Sequence, residues 1–576
     1  MINFLQPGII LIVTGILVLL IPERLINLRR GLLVLAPVLT LWAVLTSGAG
    51  KMELMFGIIF AFISLVGALY NFHVKDRFEI AAETVYAGAS ISVVFAETWI
   101  NMIVFWELMA VASWLIVVSA RTEKATKAGF RYLLVHMFGG NLLLGGIIIK
   151  LVQGETLIGN LTADGLGVLT DGPHDAAFWL ILAGVALNAA VPPLHAWIAD
   201  AYPEAPMGGT VYMGSFTTKV GVFCLIKLFA GTELLLYFGV GMALFGACMA
   251  LMENDLRRLF AYHIVSQVGY MVVSLAFGTE VGIDGAAAHA FNHILYKGVL
   301  LMCTGAVIMY TGKRKISDLG GLAKKMPLTA ITFLIASMSI AGFPLLNGFV
   351  SKSLIMNAAA ESGQHWAELL LMLGSIGTLM SVTLKVNYFV FFGKSDKDVA
   401  VDKKAVPVNM KIAMVLGALC CIVTGLFPNK VYGLTPYGID GHPFTVDHVT
   451  QYLQLFAAAG ITFVMYIEHM TPKEKLTLDT DWFYRVALKK AIEVISYGCH
   501  GFFEKSGAVA AAAVKKVSEY LHNPDKILQD LFNRPEKKQK ECLENDDVLQ
   551  KSAGALVATN FILFGIILVI VFIFVI

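Results

Sequence analysis

Acids, histidines and lysines recur inside stretches of this sequence that are otherwise apolar. Glu107 lies in INMIVFWELMAVASWLIVV, and Lys219 and Lys227 lie in SFTTKVGVFCLIK. His289, His293 and Lys297 follow at four-residue spacing in AHAFNHILYKGVL, which puts all three on one helical face. His136, Lys352 and Lys385 complete the set. An isolated charge in hydrocarbon costs several kcal/mol, so such groups persist only where they pair, lose their charge or face water. Together they describe a polar axis through an apolar body. Histidine titrates near neutral pH and a buried lysine gives up its proton readily. Acid, histidine and lysine in one line therefore suit the relay of protons or small cations better than the passage of anions.

Plainer readings stand beside these. Glu107 also reads as half of a structural ion pair, and Lys227 as an end-of-helix anchor that snorkels to the surface. His136 reads equally as a hydrogen-bonded core histidine, and one of His289 and His293 as a packing residue. The HxxxH spacing matches a metal pair as well, but no third ligand lies nearby, so no metal is expected.

The elements that must position these groups are membrane helices. Of 576 residues, 57% are hydrophobic and only 15% charged, with a mean hydropathy of +0.74; a soluble domain carries roughly 25% charged residues. We count about sixteen spans of membrane-crossing length, centred near residues 13, 39, 62, 88, 109, 141, 187, 219, 243, 269, 297, 336, 379, 421, 459 and 566. Lys219 falls near the middle of its span. The first span, from Phe4 to Ile21, has no basic start and reads as retained. The net charge of +2 says nothing about nucleic acid, and since no basic stripe with interleaved aromatics appears, no nucleic-acid partner is expected. The seven cysteines form no CxxC, which argues against iron–sulfur, zinc and disulfide frameworks.

Lys and Arg cluster in alternate connections: Arg24, Arg29 and Arg30; Lys75 and Arg77; Arg121, Lys124, Lys127 and Arg131; Arg257 and Arg258; Lys313, Arg314, Lys315, Lys324 and Lys325; Lys394, Lys397, Lys403 and Lys404. The positive-inside rule places these in the cytoplasm and both termini outside a cytoplasmic (inner) membrane. The connection after the seventh span has acids but neither Lys nor Arg and does not vote. Two stretches are broken, AAVPPLHAWI at Pro192-Pro193 and AGFPLLNGFVSK around Pro344. They precede SFTTKVGVFCLIK and SVTLKVNYFVFFGK, a weak internal repeat. Its five-span offset makes the copies inverted, with chance the rival explanation for so short a match.

These motifs resemble the antiporter-like subunits of respiratory complex I, membrane-bound hydrogenases and Mrp-type sodium/proton antiporters. The likeness runs from about residue 70 to 430. It includes FWELM at Glu107, VPPLHAW–DAY–EAP at 191–206, the TTK of Lys219, DLRRLFAYHIVSQVGY at 255–270, HAFNHILYKG at 289–298 and GFPLLNGFVSK at 342–352. The ending, LDTDWFYR, leans toward the D-like branch of the Mrp antiporters. The resemblance implies an all-α polytopic membrane fold with two inverted five-helix repeats, two broken helices and a C-terminal amphipathic lateral helix. It also implies roles: Glu107 as coupling acid, Lys219 as switching base, His289, His293 and Lys297 as relay, and Lys352 as gate. One departure stands out. The family's lysine seven residues before the histidine of VPxHxW is Asn188 here, so Glu107 lacks its usual partner.

The expected organisation is N-terminal helices at 1–78, a first repeat at 79–230, a second at 231–394 and peripheral helices at 395–470. An amphipathic cytoplasmic segment follows at 471–553, then an anchor at 554–576. In the segment, Phe483, Ala487, Ala491, Ile495 and Cys499 share a helical face. The expected function is proton translocation, or proton/sodium exchange, by one member of a hetero-oligomeric complex, lodged among other membrane subunits in the lipid bilayer. No redox centre or cofactor of its own is expected. The alternatives are a structural or regulatory component that has lost transport, which Asn188 motivates, and a membrane partner in inorganic carbon uptake.

Overall fold

The computed structural model describes residues 6–162, 165–393, 406–438, 443–473, 479–480 and 482–522. Lys394, Lys397, Lys403, Lys404, residues 523–553 of the expected cytoplasmic segment and the anchor at 554–576 lie outside them.

Helices α1 (Ile9–Leu20), α2 (Ile26–Leu45) and α3 (Lys51–Tyr70) lead into α4 (Arg77–Val94), α5 (Trp99–Val118) and the long α6 (Glu123–Val152). Next come α7 (Ala176–Asn188), the short α8 (Ala196–Ala201), and the two halves of a broken helix, α9 (Met207–Ser215) and α10 (Thr217–Phe229). Then follow α11 (Glu233–Met252), α12 (Leu256–Ala276) and α13 (Glu280–Thr311), and the broken pair α14 (Pro327–Ala341) and α15 (Asn347–Glu361). α16 (His365–Thr378) runs on as a wide π-helix over Leu379–Phe392. α17 (Val408–Leu426), the one-turn α18 (Pro428–Tyr432) and α19 (Val446–Met465) close the bundle. Among the described residues ten helical segments are long and apolar enough to cross a membrane, and α1, α7 and α14 are shorter apolar helices.

Polar residues start the helices. Asp76 accepts from the Phe78 amide at the head of α4, Thr98 from Asn101 at α5, Thr122 from Ala125 at α6, and Asp255 from Arg257 and Arg258 at α12. Small residues bring axes together: a Cβ on Gly246 of α11 would stand 2.5 Å from the Ser266 amide of α12. Every residue of α10 is buried, and α12 is buried almost throughout, while Leu20, Trp42, Leu369 and Val464 on outer helices are 66–73% exposed. A surface of that kind suits a hydrocarbon surround.

The bundle has two distinguishable ends. On one, Arg121 pairs with Asp76 at 2.7 Å, Arg131 with Asp200 at 2.6 Å and Arg314 with Glu204 at 3.2 Å, and Arg257 donates to the Ala205 carbonyl. The connection with acids but no Lys or Arg therefore joins the basic connections, because Asp200 and Glu204 receive their neighbours' arginines. At the other end the Ile158 amide donates to the Glu97 carbonyl, Val168 to Lys227 and Gly231 to Leu275. Left-handed backbone ends the helices at both proline-marked breaks: Ala190 has φ 59° after α7, and Gly342 and Leu345 have 89° and 72° between α14 and α15. For a residue with a Cβ this costs about 1–2 kcal/mol.

Val486–Ile576 is a compact unit apart from Met1–Arg485. Its described part is α20 (Lys489–His522), preceded by π turns at Phe483–Leu488. At 34 residues α20 is roughly 51 Å long. It carries the expected apolar residues Ile495 and Cys499, both exposed.

Candidate functional site

The line of buried groups begins at the joint between α9 and α10. Phe216 leaves helical geometry (φ −108°, ψ −72°), and beside this deviation the Gly214 carbonyl accepts from Lys219 Nζ at 2.7 Å. The same ammonium reaches Thr218 Oγ1 at 3.0 Å. Lys219 therefore sits near the middle of the Met207–Phe229 span, in the first turn after a break within it. Tyr86 of α4 clamps the joint: its hydroxyl receives the Thr217 amide at 2.8 Å and lies 2.6 Å from Thr217 Oγ1.

Glu107 on α5 rests in a notch over α6. A Cβ on Gly140 would come within 1.8 Å of Glu107 Oε1, so only glycine leaves room for the carboxylate. Glu107 Oε2 is buried without a hydrogen-bond partner, and among the described residues the carboxylate makes no ion pair. Asn188 does not replace the missing lysine, since both its side-chain polar atoms are buried and without a partner among the described residues. His136 stacks on Tyr132 at 3.9 Å between ring centroids, meets Trp197 edge-on at 4.5 Å, and bonds the Tyr132 carbonyl through Nδ1. Its Nε2 has no partner among the described residues.

The second half is more connected. On α13, His289 bonds Ser351 Oγ of α15 at 2.9 Å through Nδ1 and Gln267 Oε1 of α12 at 3.2 Å through Nε2. Gln267 donates in turn to Thr378 at 3.4 Å. Lys352 donates to Ser375 at 3.2 Å and lies 4.9 Å over the Tyr270 ring, while the Tyr270 hydroxyl meets Ser375 at 2.9 Å. Between the halves stand His293 and Lys297. Neither ring nitrogen of His293 nor Lys297 Nζ has a hydrogen-bond partner among the described residues, and both side chains are fully buried. Lys219 lies near enough for its charge to act on His289, His293 and Lys297.

Two expected members stand apart from this line. Lys227 makes an ion pair with Glu53 of α3 at 2.8 Å, beside a cavity of about 830 Å³ on the face opposite the arginines. Lys385 donates to the Leu251 and Glu253 carbonyls, both at 2.7 Å, and so closes the C-terminal end of α11. Among the described residues no three His, Cys, Asp or Glu side chains converge as a metal site.

Sequence reasoning missed several partners. Gln267, Tyr270, Ser351 and Ser375 are ordinary helix residues until packing brings them to His289 and Lys352. Buried Glu83 on α4 was missed too, although it follows the capping Asp76 by two turns. A third omission lies in the LDTDWFYR motif. Asp479 Oδ1 is 3.1 Å from His195 Nε2, and Asp479 Oδ2 accepts from the Tyr262 hydroxyl at 2.8 Å. Burial pushes the Asp479 carboxyl up, but the His195 ring, Tyr262 and the Thr480 amide hold it below the usual carboxylate range.

An all-helical bundle with broken helices around a lysine–histidine line defines an antiporter-like membrane subunit. The NADH:quinone oxidoreductase/Mrp antiporter transmembrane family matches residues 96–381. An uncharacterized protein of Methanocaldococcus jannaschii is 32% identical over 59% of this chain and 73% of its own length. A Na(+)/H(+) antiporter component of Alkalihalophilus pseudofirmus is 30% identical over 68% of this chain, which spans about half, 51%, of that protein. A chain of the Mrp complex from Dietzia sp. DQ12-45-1b shares the fold, with a TM-score of 0.65 at 22% identity over 81% of this chain and 98% of its own. The chain belongs to the NADH:quinone oxidoreductase/Mrp antiporter family of membrane proteins.

Proposed function

We propose that this chain conducts protons across a membrane as one member of a multi-subunit complex. The path runs from Lys219 past Lys297 and His293 to His289 and Lys352, with Glu107 as a side acid facing α6. The observation that carries the reading is the middle of the line, where His293 and Lys297 are fully buried without a bonding partner among the described residues. An orphaned buried polar group costs about 1–3 kcal/mol, a cost that ordered water in a conducting path offsets. The break beside Lys219 leaves the Gly214 carbonyl to that side chain, as in transporters built on discontinuous helices. Two inverted five-helix units, residues 79–230 and 231–394, account for the paired breaks. About sixteen spans with the arginine-tied end in the cytoplasm agree with the positive-inside rule.

Lys219 is the switching base in this reading, and Lys227 and Lys385 hold structure at the two ends. In everted vesicles carrying the assembled complex, Lys219→Ala should lower pH-gradient formation by about 100-fold, the contribution of one proton-transfer group, with assembly intact on a native gel. Glu107→Gln should lower it too. Wild-type rates from an assembled Lys219→Ala complex would refute the reading. Collapse of the gradient by added Na⁺ in the wild type would extend it to proton/sodium exchange, the activity in the name of the Alkalihalophilus relative.

A further inference from the structure

The line through Lys219 needs a supply of protons from the arginine-tied end, and the geometry points to α4 as that supply. We propose that Glu79 and Glu83 form a proton-uptake path from the cavity at Asp76 to the α9–α10 joint, with Glu83 as the carboxylate that loads Lys219. The inference rests on the proton-conducting reading above and assigns its inlet. Glu107, the acid singled out by motif, takes no part in it.

Spacing lays the path out. Asp76, Glu79, Glu83 and Tyr86 follow at three- and four-residue intervals, so they line one face of α4. From Asp76 to Tyr86 is roughly 15 Å along the helix, half the hydrocarbon thickness. At the outer end a cavity of about 630 Å³ is bounded by Glu23, Lys75, Asp76, Arg77 and Arg121, room for about twenty waters. Asp76 is occupied there, capping α4 and pairing with Arg121. Glu79, half-buried, is the first acid beyond it.

Glu83 is 2% exposed. Its Oε2 accepts from Asn71 Nδ2 at 2.7 Å, whereas its Oε1 is buried with no partner among the described residues, as is Asn71 Oδ1. The start of α9 is pressed against Asn71 through one glycine: a Cβ on Gly208 would fall 2.0 Å from Asn71 Oδ1, while one on Gly209 would be in ordinary contact, 3.7 Å, with Glu83 Oε1. The first-turn amides of a helix have no carbonyl of their own to bond, so this end of α9 tolerates the carboxylate as well as the acid. One turn further on, Tyr86 bonds the amide and hydroxyl of Thr217, and Thr218 bonds Lys219 Nζ. In the transfer, Glu83 takes a proton from water on the Glu79 side and becomes the neutral acid. It then releases the proton through the Tyr86, Thr217 and Thr218 hydroxyls to the Lys219 amine, which becomes the ammonium while Glu83 returns to the carboxylate.

The test uses the full chain in its assembled complex in everted vesicles, with Lys219→Ala as control. Glu83→Gln preserves the size of the side chain and its acceptance from Asn71, and should lower proton movement at least tenfold. Glu83→Asp should restore most of the rate, because the proton carrier is back. Glu79→Gln should give a smaller loss. If Glu83→Gln runs at the wild-type rate while Lys219→Ala is inactive, the uptake path is wrong and the proton-conducting reading stands. If the wild type itself moves no protons, both fall. Should Glu83→Gln not assemble, Glu79→Gln, which leaves the Asn71 contact intact, decides: a full rate overturns the path and a reduced one supports it.

Discussion

Replacing Asp479 with asparagine removes a charge from a place where three donors converge. An ionised carboxylate can only accept, so the 3.1 Å contact with His195 requires a hydrogen on Nε2, the 2.8 Å contact uses the Tyr262 hydroxyl, and the Thr480 amide lies at 2.6 Å. The Asp479 side chain is only 2% exposed. Each hydrogen bond to a charged group contributes about 1.5–3 kcal/mol. An asparagine oxygen at the Oδ1 position keeps the His195 and Thr480 bonds only at neutral strength, and its amide nitrogen faces the Tyr262 hydroxyl, which must turn its hydrogen away to accept. We therefore expect a net loss of about 2–3 kcal/mol, a roughly 30- to 150-fold rise in local opening. Hydrogen exchange in peptides covering α8, which begins directly after His195, and the 479–480 segment should show it. The sign with pH follows from the depressed carboxyl. The stabilisation is full above the ordinary value of 3.8 and is lost only as pH falls through the lower folded-state value. Wild type and Asp479→Asn should therefore differ by a constant factor from neutral pH to about 4 and converge only below it. Equal exchange of the two at pH 7 would show that the Asp479–His195–Tyr262 contacts do not hold these segments together.

Two further substitutions separate positioning from structure. Gly140→Ala puts a methyl 1.8 Å from Glu107 Oε1, so the carboxylate must swing out of its notch; transport should fall toward that of Glu107→Gln, and an unchanged rate in vesicles would remove Gly140 and its notch from the mechanism. Lys385→Met leaves the Leu251 and Glu253 carbonyls, at and just past the end of α11, without their charged donor at a cost of about 2 kcal/mol; thermal unfolding in detergent should drop while transport per assembled complex stays near wild type, and transport lost as completely as in Lys219→Ala would instead put Lys385 in the conducting line.

The helical runs were legible because a membrane helix must satisfy its own backbone bonds, which makes each span a local property of about 20 residues. His289, His293 and Lys297 were legible for a similar reason, since a four-residue interval fixes a face without help from any other element. Lys219 was found, but the break beside it was not: no proline or glycine stands at Phe216 to signal it, and the deviation is held by Tyr86, far away in sequence. Lys227 and Lys385 looked like members of the line by residue type and depth. Their actual partners, Glu53 and the end of α11, are long-range contacts that spacing cannot express. The acid ladder on α4 was missed because its partners, Asn71 and the start of α9, come from other elements, although the 76–79–83–86 interval was there to be read.

The sequence by itself determined the class of molecule, the proline-marked breaks, and which side chains carry titratable protons, because hydropathy, proline and residue type act locally. Tertiary structure alone decided which of those side chains meet. Packing gave His289 its serine and glutamine, left His293 and Lys297 without partners among the described residues, seated the Glu107 carboxylate over Gly140, and brought Asp479 to His195 across nearly three hundred residues. Hydrogen bonds reach only about 3 Å, so their pairing is fixed by how the helices cross and cannot be read from the order of residues along any one of them.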